Sequence, residues 1–110
     1  MLTRDDVRAA ALALPEAYEE GHFDKASFRV ANKIFCTVHL DEPRIVLKLD
    51  PEDQHNLLDG DAVRPVEGAW GRKGWTYAYF ERLQDGERLK RLLRLAWSTV
   101  APKRLLKSGA

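Results

Sequence analysis

The stretch Phe28-Arg-Val-Ala-Asn-Lys-Ile-Phe-Cys-Thr-Val-His-Leu-Asp-Glu-Pro-Arg-Ile-Val-Leu-Lys-Leu-Asp50 decides the fold of this chain. Its middle section alternates residues expected to be buried with residues expected to face outward: Ile34, Cys36, Val38 and Leu40 against Phe35, Thr37 and His39. A period of two residues is typical of a strand with one buried face. The alternation resumes after Pro43. Before the alternating section, Asn32 tolerates the positive φ that a tight turn requires. The stretch therefore predicts three successive strands.

Amphipathic helices are predicted near both ends of the chain. We expect the first over Thr3–Leu14, where Thr3 can cap the helix and Pro15 stops it. Its apolar stripe has helical spacing: Val7, Ala10, Ala11 and Leu14. The second helix has a longer stripe: Leu89, Leu92, Leu93, Ala96 and Val100. Since both stripes need cover, we predict an α+β fold with the N- and C-terminal helices packed on one face of an antiparallel sheet.

Shorter elements are predicted between the strands and the last helix. They are an irregular strand or loop over Tyr18–Phe23, a short helix over Glu52–Leu58, an extended piece over Ala62–Val66, a flexible loop over Glu67–Gly74 and a strand over Trp75–Phe80. Three glycines in eight residues favour the loop. In the strand after it, Trp75, Tyr77 and Tyr79 should share one face.

The totals describe one ordinary folded domain. The chain has 110 residues, of which 45% are hydrophobic and 32% charged, so we expect a single domain over residues 1–110. No apolar run approaches the ~20 residues that span a bilayer. The N-terminus has no signal-peptide pattern, and we expect a cytoplasmic protein. Cys36 is the only cysteine, which excludes an internal disulfide and a cysteine-based zinc site.

Charge is distributed unevenly along the chain although the net charge is only +1. Residues 1–24 contain two arginines and six acidic residues, whereas residues 82–110 contain eight basic and two acidic residues. An acidic head and a basic tail can indicate an anionic partner, polar self-association, or merely solvated surfaces. The near-neutral total argues against strong nonspecific affinity for nucleic acid.

Several segments of the chain have a characteristic order and spacing. They are Ala13–Glu16, Phe28–Phe35, Val46–Gln54, and Gly74–Tyr77 together with Trp97–Lys103. As a set they resemble the MmcQ/YjbR family of small bacterial proteins. The resemblance implies a frataxin-like (CyaY-like) fold and the family's usual description, a DNA-binding protein with a double-wing motif. It brings no catalytic residues. Family members often have glycine in the first hairpin turn, where this chain has Ala31-Asn32; Asn can adopt the same backbone.

Two basic regions are candidate phosphate contacts. The first lies on the Gly-rich loop, where Arg72 and Lys73 stand between Gly71 and Gly74 and could project as a wing. Neighbouring Trp70, Trp75 and Tyr77 could stack on bases; alternatively, Trp75 and Tyr77 face the core and the loop charges are solvated. The second region is the basic tail: Lys90, Arg91, Arg94, Lys103, Arg104 and Lys107.

We therefore predict a non-enzymatic, monomeric DNA-binding protein without a cofactor. The proposed contacts are Arg72, Lys73, Trp75, Lys90, Arg91, Arg94, Lys103 and Arg104. Clustering of the two basic regions would favour nucleic acid. A closed apolar groove beside Trp70 would instead favour a protein- or small-ligand-binding domain with an unidentified target.

Other chemistries have weaker sequence support. Frataxins bind iron through carboxylates, and this chain has an acidic N-terminal set: Asp5, Asp6, Glu16, Glu19, Glu20 and Asp24. The likeness is one of fold rather than of motif, so iron binding is a third alternative. Cys36 and His39 should point to opposite faces of a strand, which argues against a nucleophile–base pair. No Gly-rich phosphate loop, serine elbow or paired-carboxylate motif is present.

Overall fold

The computed structural model describes residues 1–22, 24–39 and 41–107. Its helices are α1 (Arg4–Leu12), α2 (Pro51–Leu57), α3 (Ala69–Arg72), α4 (Gly86–Val100) and α5 (Lys103–Lys107), with a 3₁₀ turn at Phe80–Arg82. Its strands are β1 (Tyr18–His22), β2 (Lys25–Val30), β3 (Lys33–His39), β4 (Ile45–Lys48), β5 (Val63–Pro65) and β6 (Trp75–Ala78). Phe23 and Leu40, which the sequence assigns to strands, lie outside the described residues.

The strands form one sheet in the order β1-β2-β3-β4-β6-β5, and every neighbouring pair is antiparallel. Helix α4 packs across β2, β3 and β4, and α1 packs beside α4. The predicted α+β fold, with both terminal helices on one face of an antiparallel sheet, is confirmed. We call the opposite side of the sheet, on which Ser27, Thr37, Val46 and Tyr77 form one cross-strand row, the open face.

Side-chain hydrogen bonds cap the N-termini of α1 and α4. Thr3 caps α1 in a capping box with Asp6, and α1 ends at Leu12, two residues before the predicted Leu14. Asp85 caps α4 by accepting a hydrogen bond from the backbone N–H of Arg88. The predicted stripe of α4 fills the core with Leu89, Leu92, Leu93 and Ala96, whereas Val100 is half-buried. No helix among the described residues is long and apolar enough to cross a membrane.

A β-bulge changes the predicted pattern of β3. Phe28 pairs with Cys36 while its neighbour Arg29 pairs with Ile34, so Phe35 is an extra residue in β3. As a result Phe35 is buried in the core and Ile34 is half-buried beside Arg29. The prediction that Ile34 shares the buried phase and Phe35 faces outward is wrong, because the bulge shifts the alternation by one residue. Cys36 is buried as predicted, and burial raises the pKa of its thiol.

Between α2 and β5 the Asp59 carboxylate organises a turn. It accepts hydrogen bonds from the backbone N–H groups of Asp61 and Val63, and it forms an ion pair with Arg88 at 2.8 Å. Desolvation alone would raise the pKa of Asp59, but these hydrogen bonds and the Arg88 charge outweigh it and lower the pKa to about 2. The turn is therefore stabilised by an ionised carboxylate.

The predicted flexible loop Glu67–Gly74 contains the helical turn α3. Gly71 and Gly74 are both buried, and a Cβ at either position would lie 1.8 Å from a backbone oxygen, that of Val66 or of Leu49. The glycines therefore let α3 lie directly on the neighbouring backbone. The expectation of a flexible, projecting wing at Gly71–Gly74 is wrong, because this close contact holds the turn down.

Candidate nucleic-acid interface

Aromatic side chains of β6 face outward on the open face. Thr76 and Ala78 are the buried residues of this strand, while Trp75 and Tyr77 are half-buried on the other side. The rings of Tyr77 and Tyr79 lie 6.4 Å apart. The prediction that Trp75, Tyr77 and Tyr79 share one face is therefore confirmed, and the alternative that Trp75 and Tyr77 face the core is wrong.

Each of these rings has a cation over it. Arg44 lies 4.3 Å from the ring centroid of Tyr77, and Arg82 lies 4.7 Å from that of Tyr79. Lysines approach the two tryptophans at 5.5 Å, Lys48 over Trp75 and Lys73 over Trp70. These distances are those of cation–π contacts. We call the resulting surface the basic-aromatic face; it consists of Trp70, Trp75, Tyr77 and Tyr79 with Arg44, Lys48, Lys73 and Arg82.

Strand pairing explains how Lys48 reaches the ring of Trp75. In the β4–β6 register, Val46 lies opposite Tyr77 and Lys48 lies opposite Trp75. Residues opposite each other on one face of an antiparallel pair have side chains close enough to interact. Ile45 and Leu47 fill the core side of β4, so Val46 and Lys48 take the open side.

Two shallow depressions meet at Trp75. One has a volume of about 340 Å³ and is lined by Lys25, His39, Arg44, Val46, Val66, Trp70, Trp75 and Tyr77. The other has a volume of about 540 Å³ and is lined by Arg29, Asn32, Lys33, Ile34, Lys48, Trp75, Thr99 and Val100. The groove beside Trp70 is thus open and bordered by cations, not the closed apolar groove that would favour the alternative ligand class.

A buried amide positions Trp70. Gln54 Nε2 donates to the carbonyl oxygen of Gly71 at 3.0 Å and to that of Trp75 at 3.1 Å, and it lies 3.1 Å from Thr76 Oγ1. These bonds connect α2 to both α3 and β6. They hold the backbone at Gly71, next to Trp70, and at Trp75, and the rings of these two tryptophans meet edge to face with centroids 6.2 Å apart. Trp70 nevertheless remains 61% exposed.

The electrostatics of the groove favour an anionic ligand. Burial lowers the pKa of His39, and the charges of Arg44 and Lys25 lower it further. Burial also disfavours the charge of Arg44, but a hydrogen bond with Tyr79 and the Glu42 carboxylate raise its pKa on balance. Arg44 Nε lies 3.3 Å from Glu42 Oε2, yet among the described residues this buried nitrogen has no hydrogen-bond partner. Its contact with Glu42 is therefore Coulombic.

The structure separates the predicted contact residues. Lys73 and Trp75 belong to the basic-aromatic face, whereas Arg72 lines a different depression beside Glu67 and Leu58. Lys90, Arg91 and Arg94 are exposed on the side of α4 that points away from the sheet. The clustering of the two basic regions that would favour nucleic acid is therefore not found among these described residues, because α4 covers the face of the sheet opposite to the aromatic rings.

The cations of the basic tail have partners of their own. Arg104 makes two hydrogen bonds to the Glu16 carboxylate, at 2.6 and 2.7 Å. Lys90 lies 3.6 Å from Glu87, and Arg94 lies over the Trp97 ring. Lys103 is exposed. A phosphate would have to compete with Glu16 for Arg104.

Sequence reasoning missed three of the four cations of the basic-aromatic face. Arg44, Lys48 and Arg82 were not among the predicted contacts, and neither were Lys25 and His39 of the groove. The available signal was the phase of β4: Arg44, Val46 and Lys48 alternate with the buried Ile45 and Leu47. That phase assigns Lys48 to the face that the helices leave uncovered.

Metal coordination has no geometric support in the described parts of the chain, which contain no group of three or more His, Cys, Asp or Glu residues placed to hold an ion. The acidic N-terminal residues have other partners. Asp6 completes the cap of α1, Glu19 pairs with Arg8 at 2.6 Å, and Glu20 lies 3.5 Å from Arg29.

Comparison with known proteins identifies similar chains. The model of the YjbR family matches residues 12–99. Deinococcus radiodurans protein DR2400, which has the domain DUF419, aligns with 24% identity and a TM-score of 0.76 over 91% of this chain and 79% of its own. A Pseudomonas syringae protein aligns with 15% identity and a TM-score of 0.71 over 89% of this chain and 98% of its own. These two likenesses concern the fold. No curated protein matches the sequence.

Proposed function

The chain belongs to the MmcQ/YjbR family, and from the surface that its sheet presents we propose that it is a non-enzymatic nucleic-acid-binding domain. The observation that carries the proposal is the basic-aromatic face, where four aromatic rings each have a cation within 4.3–5.5 Å. Lysine and arginine neutralise phosphates, and aromatic faces stack on bases. The two chemistries that nucleic acid requires therefore occur side by side on one uncovered sheet.

The lysines of this face, and Lys25 in the groove beside it, are available for phosphate contacts. Among the described residues, Lys48, Lys73 and Lys25 have no carboxylate within 4 Å, in contrast to Arg82, which pairs with Asp61 at 3.2 Å. An unpaired lysine can bind phosphate without first losing an ion pair. We expect Lys48 and Lys73 to contribute most to affinity, with Trp75 and Trp70 between them.

The basic C-terminal set stays a prediction. Lys90, Arg91 and Arg94 lie on the side of α4 that points away from the sheet, so they would form a second surface rather than extend the first. This separation makes them a useful control, since the same charge can be removed from either side of the molecule.

A protein- or small-ligand-binding domain remains the second candidate. The 340 Å³ groove beside Trp70 is open rather than closed and apolar, but Trp75 and Arg44 both line it, so a planar anion could lie between them. A ligand of this kind would compete with nucleic acid for the same residues.

The test is a binding titration of labelled nucleic acid, both duplex and single-stranded, at about 50 and 200 mM salt. Lys48→Ala with Lys73→Ala should weaken binding and lower the salt slope by roughly one to two units, because up to two phosphate contacts are lost. Lys90→Ala with Arg91→Ala removes the same charge from the far side and should have a much smaller effect. Failure of the wild-type protein to bind any nucleic acid at about 50 mM salt would refute the proposal.

A further inference from the structure

We propose that the ligand of the basic-aromatic face is a single strand of nucleic acid rather than a duplex. This inference rests on the proposed function and specifies its substrate class. It depends on the position of the rings, the path of the charges and the shape of the surface.

The tryptophans are placed to contact the faces of bases. Trp70 and Trp75 meet at an interplanar angle of 71°, and Trp70 is 61% exposed. The two rings thus form a corner open to solvent. In a duplex the faces of the bases are covered by stacking, and only their edges are accessible in the grooves. Only an unpaired base can place its face against either ring.

The cations follow a path that passes Trp75. On one side are Lys25 and Arg44, and on the other are Arg29, Lys33 and Lys48. Because both depressions share Trp75, one backbone could cross the sheet with phosphates at the cations and bases at the rings. Binding grooves for single strands combine these elements, a basic track and aromatic platforms.

The surface lacks the shape that a duplex requires. Arg72 and Lys73 stand on a helical turn held down at Gly71 and Gly74, so this turn does not project into a groove of DNA. Carboxylates also border the Tyr77 end of the track. Glu67 accepts a hydrogen bond from the Tyr77 hydroxyl at 3.3 Å, and Glu42 lies beside Arg44. They limit the positive surface to this narrow track, whereas a duplex brings two rows of phosphates.

The experiment compares ligands of equal length, in which the duplex carries about twice the charge of each single strand and would bind more tightly if charge alone decided the affinity. Fluorescently labelled oligo-dT and oligo-rU of about 12 nucleotides are titrated beside an abasic strand and a 12-base-pair duplex, a length within the site sizes of single-strand-binding folds. We expect either single strand to bind at least about tenfold tighter than the duplex and the abasic strand, because only they offer free base faces.

A variant tests the stacking directly. Trp70→Ala should weaken binding of the single strand about five- to 150-fold and leave the weak binding of the abasic strand unchanged. Leu58→Ala, another exposed apolar residue, serves as the matched control and should change neither. Since Trp70 is exposed, the folded state should tolerate its loss, and circular dichroism checks this.

The outcomes separate the two proposals. Equal binding of duplex, abasic strand and oligo-dT would overturn the single-strand inference and leave nucleic-acid binding intact. An unchanged affinity of Trp70→Ala for oligo-dT would also overturn it. If no nucleic acid binds, the proposed function itself is wrong.

Discussion

Replacing Gln54 by alanine should destabilise the fold and loosen the candidate site together. The Gln54 side chain is only 8% exposed, and its amide nitrogen has two N–H groups for three acceptors. Two of these acceptors are the carbonyl oxygens of Gly71 and Trp75. Alanine would leave them without this donor in a place where water has little access. Each carbonyl oxygen keeps one backbone donor at 3.0 Å, Gly74 for Gly71 and Val66 for Trp75. The cost is therefore that of two lost hydrogen bonds at about 0.5–1.5 kcal/mol each, so we expect a loss of about 1–3 kcal/mol of unfolding free energy.

Urea denaturation measures this loss, and the chain provides a matched control. Gln84→Ala makes the same chemical change at an exposed position and should stay within about 0.5 kcal/mol of the wild type. Because Gln54 connects α2 to α3 and β6, its loss should also weaken nucleic-acid binding through Trp70. A loss of stability for Gln54→Ala no larger than that for Gln84→Ala would refute the reasoning.

Four further predictions follow from other parts of the molecule. Leu92→Ala should cost roughly 2–5 kcal/mol in a denaturant titration, since Leu92 is 1% exposed; a loss near zero would show that the α4 stripe is not core. Ala31→Gly should stabilise the protein by about 0.5–1 kcal/mol. Ala31 has a φ of 51°, and the backbone strain that glycine relieves there should exceed the cost of the greater freedom of glycine in the unfolded chain; a lower melting midpoint would contradict this. Asp59→Asn should lower stability near neutral pH. The difference should persist above the unfolded pKa of about 4 and vanish as the pH falls through the folded pKa of about 2, as denaturation at several pH values can check. Lys73→Ala should lower the salt slope of binding by roughly one unit for all sequences alike, and Arg72→Ala by less, because only Lys73 lies beside the rings; equal effects would argue against this placement.

The sheet could be predicted from sequence because its signals are local. Alternation over Phe28–Asp50 identified β2, β3 and β4, and the apolar stripe identified α4. The turn at Asn32 could also be predicted from the sequence, and in the structure both Ala31 and Asn32 have the positive φ that a tight hairpin requires. Each of these features depends on a few residues that are close together in the chain.

The features that escaped prediction depend on partners distant in sequence. The bulge at Phe35 depends on the pairing of β2 with β3, in which Phe28 lies opposite Cys36 and Arg29 lies opposite Ile34. The four-residue helix α3 is too short to produce a periodic pattern, and its position depends on Gln54. Three of the four cations of the basic-aromatic face were missed for the same reason: Lys48, for example, meets Trp75 only because β4 pairs with β6.

The position of α4 on the sheet constrains how the chain can fold during its synthesis. Strands β2, β3 and β4 precede α4 in the chain, yet α4 is the helix that covers their apolar side. A ribosome therefore releases the strands before their cover exists, and an uncovered apolar sheet is prone to aggregate. Stable folding must wait until residues 86–100 have emerged. We therefore expect synthesis halted before α4 to yield a chaperone-bound or insoluble product rather than a smaller folded protein.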